Sequence, residues 1–167
     1  MTAGAIEFRT LESVEPGQII ALMNHPLLAR HMPLLKTPFT ESDYRGFLAA
    51  KQRLWDEHGY GPRAILVAGQ FAGWGGLQPE AGEADLALVL HPQYWGHGPA
   101  IMRMIIAEGF GVMGLESMIA LLPLSRTRER GMQRLGFVRD GDVELSGVRF
   151  RRYRLTAEVA ADPTTTP

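Results

Sequence analysis

Apolar and polar positions follow two periods along this chain, and the changes between them mark out most of its elements. Ile6 to Leu11 alternates as a strand does, with Ile6, Phe8 and Thr10 on one face. Pro16-Gly17 ends it, Gln18 to Met23 reads as a short helix, and prolines at 26, 33 and 38 limit the next segment to a turn or two. Thr40-Glu41-Ser42-Asp43 has the form of a capping box. It opens a helix whose Tyr44, Phe47, Leu48, Leu54 and Trp55 share a face, while Glu41, Arg45, Gln52, Arg53 and Asp56 turn away. Tyr44 and Trp55 are expected in the core, and Gly59 suits a left-handed C-terminal cap.

Three strands follow in quick succession. Ala64 to Ala68 and Phe71 to Leu77 form a hairpin around Gly69-Gln70, and Asp85 to His91 follows the turn Gln78–Gly82. Short connections make all three antiparallel. Gly73, Gly75 and Gly76 mark a bulge, or a place where another backbone or a ligand comes close. In the third strand Leu86, Leu88 and Leu90 share one face, and Asp85, Ala87, Val89 and His91 the other. Gln93-Tyr94-Trp95-Gly96-His97-Gly98 is a glycine-punctuated turn, and Pro99 suits the first position of a helix from Ala100 to about Met113. Ser117 to Leu122 is a buried strand. Strand, helix, strand implies a parallel pair. A helix from Arg126 to Leu135 stops at Gly136, and Phe137–Leu145 and Val148–Leu155 close the body as a hairpin around Ser146-Gly147.

Composition narrows the function classes. A chain of 167 residues is expected to be one domain over 1–159, and the small, polar, Pro/Thr-rich segment 160–167 a disordered tail. A formal net charge of -1 offers no field for nucleic acid or an anionic membrane. Without cysteine there is no disulfide, thiolate metal site or catalytic thiol. The first residues lack a basic segment followed by an apolar one, and no apolar stretch is long enough to span a bilayer, so the expected compartment is the cytoplasm. His25 and His31 have no carboxylate or third histidine at a metal-binding spacing, which leaves loop packing as their reading.

The glycine turn carries the chemistry. Strand, glycine turn and helix start together present backbone N–H groups and a helix dipole to an anion. A dinucleotide fold would need a third glycine and repeated strand–helix units, and a P-loop would need a Gly-Lys-Ser/Thr ending; neither is present. A third reading is a nucleotide-bearing thioester cofactor whose pyrophosphate sits on the turn.

Gln93-Tyr94-Trp95-Gly96-His97-Gly98 resembles the Q/R-x-x-G-x-G/A motif of the GCN5-related N-acetyltransferases, the GNAT superfamily. With Leu90-His91-Pro92 before it, the wording is similar to the branch that acetylates ribosomal-protein N-termini. Arg134-Leu135-Gly136-Phe137 resembles the helix-to-strand junction that closes the same fold, and the element order agrees over about residues 6 to 156. The resemblance implies a single α/β (α+β) domain: a mixed, mostly antiparallel sheet of about six or seven strands, a central parallel pair that splays, and about four flanking helices. It implies acetyl-CoA as acetyl donor, with the pyrophosphate on N–H groups of Gly96, His97, Gly98 and Ala100, Gln93 in the motif, and the pantetheine arm paired with Leu88, Val89 and Leu90. The acceptor is an amine, a peptide N-terminus or a small molecule, which attacks the thioester directly; a backbone N–H near Leu90 polarises the carbonyl. Homodimers are common among similar proteins, but the sequence marks no interface.

Departures from the pattern shape the catalytic expectations. Ser125 stands where relatives often carry Asn, Met132 where many carry an acidic Tyr, and Arg128 where the ribosomal-protein branch has a Ser. Ser125 is therefore the expected acid for the leaving thiolate and a contact to the cofactor, with capping of the following helix as its alternative. Asp85, Glu83 and His91 are the candidate bases beside a water chain, and Arg103, Arg126, Arg128, Arg130 and Arg134 the candidates for the 3′-phosphate. The replaced polar pair also raises an acyl-CoA-binding module with little or no transfer activity.

Overall fold

The computed structural model describes residues 4–126 and 129–161. Its centre is one seven-stranded sheet of β1 (Ile6–Arg9), β2 (Arg63–Val67), β3 (Gln70–Glu80), β4 (Glu83–Leu90), β5 (Ser117–Pro123), β6 (Val138–Leu145) and β7 (Val148–Thr156). The spatial order is β1-β2-β3-β4-β5-β7-β6, antiparallel throughout except for the parallel pair β4–β5. The three hairpins β2–β3, β3–β4 and β6–β7 turn on Ala68-Gly69, Ala81-Gly82 and Ser146-Gly147. Both residues of each turn have positive φ, the turn whose twist suits a two-residue hairpin. The first lies one residue earlier than the sequence pattern placed it.

Helices cover both faces. On one side are α1 (Pro16–Met23), the single turn α2 (Pro26–Ala29) and α3 (Glu41–His58). Ile19, Leu22, Met23, Leu28 and Tyr44 there pack with Leu66 and Trp74 of the sheet. The Thr40–Asp43 capping box opens α3, and Gly59 closes it in the left-handed conformation. Tyr44 is in the core as expected; Trp55 is half-buried and donates Nε1–H to the Pro62 carbonyl. On the other side α4 (Gly98–Gly111) buries Ile101, Ile105 and Ile106 against Leu77, Leu86, Leu90 and Met118. Each such side chain contributes about 1.5–3 kcal/mol of burial. The two-faced alternation of β4 is therefore real: Leu86 and Leu90 join the α4 side, Val89 the α3 side.

Two features differ from the sequence pattern. The late helix expected from Arg126 is α5 (Arg130–Arg134), five residues long with Glu129 as its N-cap, and Thr127 and Arg128 lie outside the described residues. A short α6 (Ala157–Ala161) takes in the first two residues expected in the tail; 162–167 lie outside the described residues. Among the described residues no helix is long and apolar enough to cross a membrane.

Candidate active site

The sheet opens between its two parallel strands. β4 and β5 share one register pair, Asp85 with Ile119, and then diverge toward Leu90 and Pro123. The closed end of this wedge is held by charge. Arg154 of β7 forks onto both Glu83 oxygens, Nη1 at 2.6 Å and Nη2 at 3.0 Å, while also donating to Ser117 Oγ at 3.0 Å and Asp140 Oδ2 at 2.8 Å. Glu83 is thus a clamp joining β4 to β5 and β7, and the Arg154 hydrogen bonds hold its carboxyl below the usual range. As a base it is spent: both oxygens are taken, at the end of the wedge away from the glycine turn.

The open edge of β4 is ready to pair. A Cβ on Gly75 would stand 2.5 Å from the Ala87 carbonyl oxygen, and one on Gly73 would strike that of Val89, so both carbonyls point at β3. The His91 N–H also turns that way, to the Ala72 carbonyl. Backbone groups alternate in direction along a strand, so Leu88 and Leu90 face the wedge. Val89, the third residue expected to hold the pantetheine arm, spends its backbone on β3. Trp95 donates Nε1–H to the Leu90 carbonyl at 2.9 Å and so caps the end of that edge.

The expected glycine turn is a 3-10 helix, Pro92–His97, running directly into α4. His91 makes it so, because its Nδ1 accepts the Gln93 N–H and Pro92 fixes the next φ. The Gly98 N–H is given to the Trp95 carbonyl in this arrangement. Neither Gly96 nor Gly98 has a positive φ. A Cβ on Gly96 would meet no atom within 4 Å, and one on Gly98 only Leu90 Cδ1 at 3.9 Å. The chain's own conformation and packing therefore give no reason for glycine here, whereas a phosphate lying against the backbone does. His97 adds a buried Nδ1 without a hydrogen-bond partner, and Ala100 sits exposed in the first turn of α4, at the positive end of the helix dipole. These residues suit a pyrophosphate. Gln93 turns an exposed side chain outward.

A loop straps the mouth of the wedge. Asn24 pinches its base, accepting the Phe39 N–H at 2.7 Å and donating to the Phe39 carbonyl at 2.8 Å. On one side the His25 ring meets the His91 ring edge-on, 5.0 Å between centroids. On the other, His31 Nδ1 stands 2.9 Å from Ser125 Oγ, just past the end of β5. Ser125 is therefore not the cap of α5, and its exposed hydroxyl lies at the mouth, paired to a histidine. Met132, expected to stand where the resemblance puts a Tyr acid, is buried in the core. His31 is the residue sequence reasoning passed over: its partner is 94 residues away, and no local pattern marks it.

The remaining candidate bases fare differently. His91 Nδ1 already accepts a backbone N–H, so protonation there would undo the 3-10 cap. Asp85 is 7% exposed, faces Lys51 and Gln78, and leaves Oδ1 without a partner. It stands five residues before Leu90, on the order of 16 Å along a strand, too far to touch a proton at the mouth. Burial pushes its carboxyl up to about 6, offset by the Gln78 hydrogen bond and by Lys51, while Glu80 adds to the rise. A folded-state pKa above the unfolded value means a contribution fully present at acid pH and lost as pH rises through about 6. The ionised carboxylate then costs about 3 kcal/mol above pH 7. Asp85→Asn removes that cost, less what Lys51 loses with its counter-charge. Urea unfolding should show the variant about 1–2 kcal/mol more stable than wild type at pH 8, with the gap closing by pH 4.

Comparison with known proteins agrees with the fold. Residues 6–138 match the family model of the acetyltransferase (GNAT) domain. No curated protein sequence matches the chain. Among solved structures, a GNAT-family acetyltransferase from Bacillus anthracis superposes with a TM-score of 0.74 at 19% identity, covering 95% of this chain and 98% of that one. An acetyltransferase from Agrobacterium tumefaciens str. C58 gives 0.73 at 15% identity, with 93% and 92% covered. Mycobacterium smegmatis RimJ, solved in complex with CoA-disulfide, gives 0.70 at 17% identity, with 97% and 87% covered. At these identities the structures establish likeness of fold alone, and the domain match carries the family. The chain belongs to the GNAT acetyltransferases: it is an acetyl-CoA-dependent N-acetyltransferase, with acetyl-CoA as donor and an amine as acceptor.

Proposed function

We propose that the protein acetylates a primary amine, on a peptide N-terminus or a small molecule, by direct attack within a ternary complex at the mouth of the β4–β5 wedge. The observation that carries this reading is the wedge itself: one registered pair at its closed end, the unpaired Leu88 and Leu90 edge beyond, and a turn whose glycines leave room the chain does not use. Acetyl-CoA supplies an acetyl group activated as a thioester. Leu88 and Leu90 hold the arm as an added strand would, and Gly96, His97, Gly98 and Ala100 receive the pyrophosphate, the turn relaxing to free the Gly98 N–H. The Leu90 N–H is placed to stabilise negative charge on the carbonyl oxygen. Ser125 donates the proton that the leaving sulfur takes.

The rim beside Ser125 bears on the acceptor. Arg30 and Arg126 both act on His31, while Arg151, which donates Nη1–H to the Arg126 carbonyl at 2.9 Å, has its own charge paired with Glu129. A field of this sign disfavours polyamines and favours neutral or acidic acceptors. The test is thiol release across peptides, amino acids, aminoglycosides and polyamines. Turnover strongest on neutral or acidic peptide N-termini or small amines is the expected result. Saturable CoA binding with no turnover on any amine would leave a binding module in place of a transferase.

A further inference from the structure

Of the expected bases, Glu83 and Asp85 lie away from the mouth of the wedge and His91, which stands beside it, holds its Nδ1 on the Gln93 N–H, yet a proton must leave the acceptor there. His31 is the ring that stands in the right place. It is half-buried in the strap loop, and its Nδ1 is 2.9 Å from the Ser125 hydroxyl. The other histidines near the mouth are committed elsewhere: His25 and His91 spend Nδ1 as backbone caps, and His97 belongs to the glycine turn. We infer that His31 and Ser125 form a two-residue proton relay, in which Ser125 touches the reacting atoms and His31 is a positioning residue acting through it. This rests on Ser125 being the donor in the transferase reading.

The relay balances. As the C–N bond forms, the acceptor nitrogen gives a proton to Ser125 Oγ while Ser125 passes its own to His31 Nδ1. As the C–S bond breaks, His31 returns that proton to Ser125, which gives one to the sulfur. One proton has moved from nitrogen to sulfur, and both side chains end as they began. At rest His31 must be neutral with Nδ1 unprotonated. Its surroundings agree: burial first, then the cations Arg126 from the turn after β5 and Arg30 from its own segment, lower its pKa below the ordinary histidine value. The sign follows. The relay works above that pKa and fails as pH falls through it, so kcat at saturating acceptor should drop on an acidic limb below the ordinary histidine value.

Two variants and one spectrum test this. His31→Asn places a polar group near the Nδ1 position but holds no proton in this range. It should lower kcat by about 100-fold or more, abolish the acidic limb, and leave the acceptor KM within about threefold. Ser125→Ala should cost as much, and the double variant no more than either, since members of one relay do not add. In the protein without ligand, ¹⁵N spectra should show His31 Nδ1 unprotonated at neutral pH, with its resonance moving in Ser125→Ala. A retained limb in His31→Asn, losses that multiply in the double variant, or a protonated Nδ1 would each overturn the relay. Wild-type protein that releases no thiol with any amine strikes down the transferase reading instead, so the two failures are told apart.

Discussion

Gly96→Asp is expected to weaken acetyl-CoA binding by on the order of 100-fold or more, about 3 kcal/mol, while leaving the melting temperature where it was. The reason is the mismatch between what the chain needs at Gly96 and what it has there. The residue needs no unusual φ, and a Cβ would meet nothing within 4 Å, so the free protein tolerates a side chain. A carboxylate on that Cβ occupies the space left for the pyrophosphate and repels its charge. Isothermal calorimetry with CoA, beside a thermal melt, separates binding from stability. Unchanged affinity would remove the glycine turn from the cofactor site.

Gly73→Ala should have the largest effect on stability, roughly 3 kcal/mol or more out of the 5–15 typical of a domain. Its Cβ strikes the Val89 carbonyl oxygen and would lie 2.9 Å from Leu90 Cα. Both are backbone of the neighbouring strand and cannot swing aside as a flexible side chain would. The chain must part β3 from β4 where β4 forms the wedge edge, so affinity for CoA should fall together with stability. Urea unfolding of the variant checks the first claim and calorimetry the second. A variant as stable as wild type would mean that β3 and β4 are not so closely apposed.

Much of this architecture is legible from local pattern. The capping box at Thr40, the Gly-containing hairpin turns and the alternation of β4 each depend on residues a few positions apart, and each appears where the sequence places it to within a residue or so. The glycine turn is legible for the same reason. What local pattern misreads is its backbone: two side-chain and ring constraints, His91 Nδ1 and Pro92, tighten an open turn into a 3-10 helix. Catalytic roles were less legible because they depend on distant pairing. Glu83 has the type and place of a base, but Arg154, 71 residues later, takes its charge. Ser125 has the type of a helix cap, but the helix begins at Arg130 and the hydroxyl meets His31 instead. Nothing in the spacing of the prolines between Pro26 and Phe39 reveals that the loop bends to reach β5.

CoA is expected to form an added strand in the β4–β5 wedge, and amide hydrogen exchange reads that directly. On addition of CoA, the Leu88 and Leu90 amides should slow by on the order of 10-fold or more, together with those of Gly96 to Ala100, while Val89, already turned toward β3, changes little. Saturable CoA binding with unchanged exchange at Leu88 and Leu90, or protection confined to another part of the sheet, would contradict it.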